Sequence, residues 1–249
     1  MFDMKNKLKR FINGNLKKFG LVISKRKPTI VEISKEEELM IKISKKYSMT
    51  TEIRMWALLN SLKKIYNEKI DGDIVECGIW KGGNIILIKK FLDKNKQNKK
   101  IYCYDTFEGM KQTLSVDSEI STGKSADEII TNNKVYLCES SLEETKKNIR
   151  ENVESFDNIN FIKGKVEDTL IEEKNLPEKI SICRLDTDYY ESTKVELQIL
   201  YPRLEKGGVL IVDDYGHWAG SKKAVDEYFK DTHVMKHYVD YACRLIVKP

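Results

Sequence analysis

Two short stretches carry more acid than folding requires. "RLDTDYY", residues 184–190, sets Asp186 and Asp188 straight after the apolar run "ISIC", and "GGVLIVDDYGHW" sets Asp213 and Asp214 after another. If both runs are neighbouring strands of a parallel sheet, about 4.8 Å apart, Asp186, Asp213 and Asp214 converge at one edge. Carboxylates that close repel, and one must hold a proton unless a cation joins them. Oxygen donors with no Cys–His cluster nearby point to Mg²⁺, with Mn²⁺ or Ca²⁺ as alternatives. The plainer reading is that the acids cap the helices that follow, but three acids on adjacent strands exceed what capping needs. A cation there would ligate a substrate hydroxyl and act as a Lewis acid. Asp188 is then the first candidate for general base and His217 the second, because an imidazole titrates near neutrality. A lone loop histidine is more often structural, and His217 is also read as lining the substrate pocket. Tyr189, Tyr190, Tyr215 and Trp218 surround these acids as candidates for an aromatic wall against a sugar face.

A second constellation lies earlier, in "VECGIWKGGN". Gly78 allows a sharp turn off a strand, and Gly82 and Gly83 open a helix whose free N–H groups favour an anion. A dinucleotide fingerprint needs a further glycine where Trp80 stands, and an indole there keeps a pyrophosphate away. A cofactor without phosphates fits better. Glu76 could receive an ammonium, and Asp105, which closes "IYCYD", could accept both hydroxyls of a ribose. S-adenosylmethionine carries both groups. Each acid alone could equally be a cap or a loop salt bridge.

These residues need strands to carry them. After an amphipathic helix from Thr51 to Glu68, short apolar runs alternate with helical patterns: "DIVECG", "IYCYD", "INFIKG", "ISICRLD" and "GVLIVDD" each precede a helix or a long loop. Such alternation means a parallel sheet covered on both faces. Overlapping capping boxes, Ser140 with Glu143 and Ser141 with Glu144, mark one helix start. "VMKHYV" and "CRLIVKP" are separated by too few residues for a crossover helix and must pair as a hairpin. The expected fold is α/β and Rossmann-like: a mostly parallel seven-stranded sheet ending in an antiparallel hairpin, the layout of class I methyltransferases. Residues 111–133 read as a polar, mobile loop.

The chain has 249 residues and a net charge of +5. Residues 1–27 alone hold nine Lys or Arg against Asp3, so the rest is slightly acidic. A basic tail on an acidic body is no nucleic-acid groove. The tail also spaces Phe2, Leu8, Phe11, Ile12, Leu16 and Phe19 roughly as a helix does. It reads as an arm, residues 1–48, preceding a domain of residues 49–249. The arm would pack on the domain or another subunit, with a lid or a weak membrane-surface contact as alternatives. Five scattered cysteines without metal or disulfide spacing suggest reduced thiols and a cytoplasmic setting. No apolar run is long enough to span a membrane.

"GDIVECGIWKGGN", "YCYDTFEGM", "RLDTDYYESTKVELQILYPRLEKGGVLIVDDYGHW" and "KKAVDEYF" together resemble the macrocin O-methyltransferase (TylF/MycF-type) family, over about residues 50–230. The resemblance implies Mg²⁺- and S-adenosylmethionine-dependent methylation of sugar hydroxyls, usually by a homo-oligomer. It implies Asp186, Asp213 and Asp214 as metal ligands and Asp188 as general base. The cofactor motifs would comprise Glu76, Gly78, Gly82, Gly83, Asp105, Thr106, Lys165 and Val166. Where the family usually reads Gly-Asp-Val near the adenine, this chain has Gly164-Lys165-Val166, so a lysine replaces the acidic contact. Two other readings compete. Asp186-Thr187-Asp188 is formally the DxD motif of a metal-dependent glycosyltransferase, and a binding protein could keep the fold without the reaction. Nucleic-acid methylation is disfavoured, because no motif for a flipped base is present.

Overall fold

The computed structural model describes residues 32–110, 113–133 and 137–249, with Leu16 and Ile30. Its strands are β1 (Asp73–Cys77), β2 (Ile101–Asp105), β3 (Ile159–Lys163), β4 (Ile180–Leu185), β5 (Leu204–Val212), β6 (His237–Tyr238) and β7 (Arg244–Val247). They form one sheet in the order β3-β2-β1-β4-β5-β7-β6. The first five are parallel; β7 runs antiparallel to β5, and β6 to β7. The chain moves outward from β1 through β2 to β3, then returns to the other side of β1 with β4. That reversal opens a crevice at the carboxyl ends of β1 and β4, where open α/β sheets take ligands.

The helices are α1 (Lys35–Ser44), α2 (Glu52–Asn67), α3 (Gly83–Lys94), α4 (Ala126–Asn132), α5 (Leu142–Arg150), α6 (Val166–Thr169), α7 (Tyr190–Leu200) and α8 (Ala219–Tyr228). Alternation along the strands divides the core. Ile74, Ile182, Val209 and Ile211 pack with α1, α2 and α3 on one face. Val75, Cys183, Leu210 and Val212 pack with α7 and α8 on the other. Every residue of β4 is buried, as a strand covered on both faces must be. Thr51 caps α2 and Ser141 caps α5. Ser140, the other cap read from the sequence, instead lies 3.1 Å from the Thr145 hydroxyl.

Three expectations change. The compact unit that carries the sheet is Ile33–Pro249, which begins earlier than residue 49. Helix α1 belongs to the sheet domain because Gly83 lets it come close; a Cβ at Gly83 would stand 2.6 Å from the Ser44 carbonyl oxygen and 2.8 Å from the Tyr47 carbonyl carbon. The basic arm up to residue 31 lies outside the described residues, apart from Leu16 and Ile30. Second, the segment read as a polar loop contains α4, capped by Ser125, and is pinned by bridges of Ser118 with Ser125 and of Glu119 with Trp218. Buried Asp117 anchors it, accepting from the backbone N–H groups of Leu114 and Tyr190. Third, β6 shrinks to two residues of the expected hairpin strand. Among the described residues, no helix is long and apolar enough to cross a membrane.

Candidate active site

A cleft of about 1160 Å³ lies at the carboxyl ends of β1, β2, β4 and β5. One corner is built by the turn after β1. Gly78 has φ +80°, and a Cβ there would meet the Asp186 carbonyl oxygen at 2.0 Å, so the β1 and β4 ends meet only through glycine. Trp80 also takes a positive φ, +45°, unusual for a bulky residue and a form of strain found at ligand sites. Asp105 holds this turn. Its Oδ2 accepts from the N–H groups of Ile79 (2.8 Å) and Trp80 (2.9 Å), and its Oδ1 from Phe107 N–H (2.7 Å). Gly78, Asp105, Thr106, Lys165 and Val166 all line the cleft.

Glu76, Gly82 and Gly83 do not line it, and their sequence readings are corrected. Glu76 pairs in register with Arg184 on β4. It is 1% exposed, with Oε1 accepting from Arg184 Nη1 at 2.6 Å and Asn84 Nδ2 at 2.9 Å. Burial pushes its pKa up to about 7, against the pull of Arg184. Glu76 is thus the counter-ion of an internal arginine, and its Oε2 has no hydrogen-bond partner. Gly82 makes room for α5, since a Cβ there would lie 2.7 Å from the Ile149 side chain, and Gly83 makes room for α1.

The second corner is acidic. Asp186, Asp213 and Asp214 each offer a carboxylate oxygen, and these atoms lie within 4.8 Å of one another. Two arginines enter this corner. Arg184 donates through Nη1 to Asp186 (2.7 Å) and through Nη2 to Asp213 Oδ1 (2.7 Å), while Arg54 Nη1 donates to Asp213 Oδ2 (2.5 Å). Asp188, Asp214 and Trp218 line the same part of the cleft. Burial, then the neighbouring carboxylates, hold Asp188 and Asp214 above the ordinary carboxyl range. Buried Asp214 Oδ2 has no hydrogen-bond partner. The arginines leave Asp188 and Asp214 uncompensated, and an orphaned buried carboxyl oxygen beside two further carboxylates is a fitting set for a hard divalent cation. Asp188 adopts φ +66°, a backbone strain located at the acidic corner.

His217 and Trp218 line the cleft. His217 Nδ1 lies 3.3 Å from the Tyr241 hydroxyl, and burial lowers its pKa, favouring the neutral ring. Trp218 meets Tyr189 edge to face at 5.7 Å. Tyr190 and Tyr215 do not belong to the wall. Their hydroxyls donate to Glu227 (2.7 Å) and Asp226 (2.8 Å) on α8, which turns both rings away from the cleft. Sequence reasoning missed Arg54, Thr50, Asp117 and Tyr241, which also line it. Arg54 had a legible trace: it stands four residues before Leu58 and eight before Leu62, a charge on the apolar stripe of α2.

The chain matches, over residues 8–244, the family described as Macrocin-O-methyltransferase (TylF). Demethyldecarbamoylnovobiocin O-methyltransferase of Streptomyces niveus is 30% identical over 181 residues, covering 70% of this chain and 64% of that protein. Mycinamicin III 3''-O-methyltransferase of Micromonospora griseorubida is 27% identical over 182 residues, covering 72% and 68%. The chain thus spans less than two thirds of the length of the first of these relatives. Among solved structures, the O-methyltransferase NovP superposes with a TM-score of 0.74 at 24% identity, covering 86% of this chain and 98% of that one. CalS11, a calicheamicin methyltransferase, gives 0.60 at 16% identity, covering 90% and 99%. These two likenesses establish the class I methyltransferase fold. The glycosyltransferase reading of Asp186-Thr187-Asp188 finds no support, because the match takes in the whole sheet that carries those residues. The chain belongs to the TylF macrocin-O-methyltransferase family.

Proposed function

We propose that the protein transfers a methyl group from S-adenosylmethionine to a hydroxyl of a sugar, carried by a glycan or a glycosylated natural product, with help from a divalent cation. The observation that carries this reading is the continuity of one cleft from the Gly78–Asp105 turn to Asp186, Asp188, Asp213 and Asp214. Family membership and the sugar- or natural-product-modifying names of the relatives support it.

In this reading the turn after β1 presents its backbone to the donor, while Asp105 and Lys165 flank the ribose and adenine. A donor bound at that turn would share one cleft with the acidic corner. Asp186, Asp213 and Asp214 would hold Mg²⁺, which when bound lowers the pKa of a neighbouring hydroxyl and stabilises the negative charge on its oxygen. Asp188 takes the hydroxyl proton; its raised pKa makes it a competent base near neutrality. The hydroxyl oxygen forms its bond to the methyl carbon as the carbon–sulfur bond breaks, and S-adenosylhomocysteine leaves. The cleft supplies alignment of the two partners, which accounts for much of the rate gain in such transfers. Tyr189, Trp218 and the neutral ring of His217 exclude water from the acceptor side.

Calorimetry with S-adenosylhomocysteine tests the cofactor corner, and mass spectrometry of candidate glycosides after incubation with labelled S-adenosylmethionine tests transfer. The expected results are binding, gain of one methyl, and loss of turnover in EDTA. Asp188→Asn and Asp214→Asn are expected to lose turnover by at least about 100-fold while still binding S-adenosylhomocysteine. They are cleaner than Asp213→Ala, which strips a partner from buried Arg184 and part-buried Arg54. Failure to bind S-adenosylhomocysteine would overturn the reading; full turnover in EDTA would remove the cation from it.

A further inference from the structure

Arg54 lies outside the strands that carry the acidic corner, yet its side chain, only 10% exposed, reaches into it. Its Nη1 donates to Asp213 Oδ2 at 2.5 Å and its Nε to Asp240 Oδ2 at 2.7 Å. Asp240 is itself immobilised. Its Oδ1 accepts from the N–H groups of Ala242 (3.0 Å) and Cys243 (2.9 Å), closing the turn between β6 and β7. The hydroxyl of Thr51, which caps α2, lies 3.3 Å from Asp240 Oδ2. Burial works against the Arg54 charge, but Asp213 and Asp240 outweigh it and keep the guanidinium ionised.

We propose that Arg54, braced by Asp240, is a positioning residue of the cation site, an inference that rests on the divalent-cation reading above. Asp213 is gripped from two sides: Arg184 Nη2 holds Oδ1, and Arg54 Nη1 holds Oδ2. The two guanidinium groups come from β4 and from α2, so together they define the plane of the carboxylate. Each oxygen keeps a second lone pair for a metal. With Arg54 removed, Asp213 keeps one anchor and is free to rotate about its side-chain bonds. A cation would then have to supply the ordering itself.

The alternative role has the opposite sign. If Arg54 were only a positive charge beside a cation site, its removal would relieve repulsion and tighten the site. Positioning predicts weaker binding, because hydrogen-bond partners of metal ligands typically contribute 10–100-fold in affinity.

Mn²⁺ binding, read by electron paramagnetic resonance in the presence of S-adenosylhomocysteine, separates the two. Relative to the unaltered protein, Arg54→Met is expected to weaken Mn²⁺ about 10–100-fold. Arg54→Lys restores part of the loss, since an ammonium reaches one carboxylate without the planar fork that grips two. Asp240→Asn weakens Mn²⁺ in the same direction but less. It keeps the turn, because its amide oxygen still accepts from Ala242 and Cys243, so it remains informative should Arg54→Met fail to fold. The double variant is expected to bind no more weakly than Arg54→Met, as one chain of contacts requires. Mn²⁺ bound as tightly or more tightly by Arg54→Met, or by Asp240→Asn where Arg54→Met does not fold, overturns the inference while leaving the cation reading intact. Absence of Mn²⁺ binding by the unaltered protein overturns both, and retained S-adenosylhomocysteine binding then isolates the metal as the failed part.

Discussion

Glu196 on α7 offers a test of how the acidic corner is supported from below. It is 0% exposed, and its Oε1 accepts from the Thr187 hydroxyl at 3.0 Å, between Asp186 and Asp188 in sequence. Burial drives its pKa well above the ordinary 4.5. The folded protein therefore keeps a proton that the unfolded chain gives up. A raised folded-state pKa means the stability contribution is whole below pH 4.5 and is lost as pH rises toward the folded value. The slope is about 1.4 kcal/mol per pH unit. As pH rises above 4.5, the ordinary value, this loss draws on a typical net stability of about 5–15 kcal/mol. Glu196→Gln removes the titration and keeps an oxygen for Thr187. Any constant effect of the amide shifts its unfolding free energy by the same amount at every pH, so the slope isolates the proton. Urea unfolding of both proteins between about pH 5 and 6.5 is expected to show the variant gaining on the parent by about 1.4 kcal/mol per pH unit. A difference independent of pH would refute the reasoning, because Glu196 would then ionise inside the fold.

Gly83→Ala forces a Cβ against the backbone of Ser44 and Tyr47, and differential scanning calorimetry is expected to register a loss of about 1–3 kcal/mol. Asp117→Ala removes two hydrogen bonds to the N–H groups of Leu114 and Tyr190; hydrogen exchange is expected to accelerate across residues 114–133 while β1, β4 and β5 stay protected. Tyr190→Phe and Tyr215→Phe are expected to leave S-adenosylhomocysteine affinity and methyl transfer within about twofold, because both hydroxyls bond to α8. A loss greater than tenfold in either would place that ring back on the cleft wall.

Much of this molecule was legible along the chain. Apolar runs alternating with helical stripes dictated the parallel sheet, and the short spacing between the last two runs dictated the hairpin. Asp186, Asp188, Asp213 and Asp214 could be placed at one edge because a strand's end is where its apolar run stops, and parallel neighbours stop at the same edge. What the sequence left open was the direction in which each side chain faces once elements pack. Glu76 and Asp105 both close β strands, yet the register of β1 on β4 turns Glu76 onto Arg184, while Asp105 faces the cleft. Gly78, Gly82 and Gly83 look alike in a motif, but the carbonyl of Asp186, the side chain of Ile149 and the backbone of α1 assign them three different neighbours. Arg54 and Asp240 are 186 residues apart and meet only after α2 and the hairpin have docked on the same sheet. Periodic burial is a property of one element at a time and is written locally. Contact between distant polar groups depends on register and helix rotation, which the packed core sets.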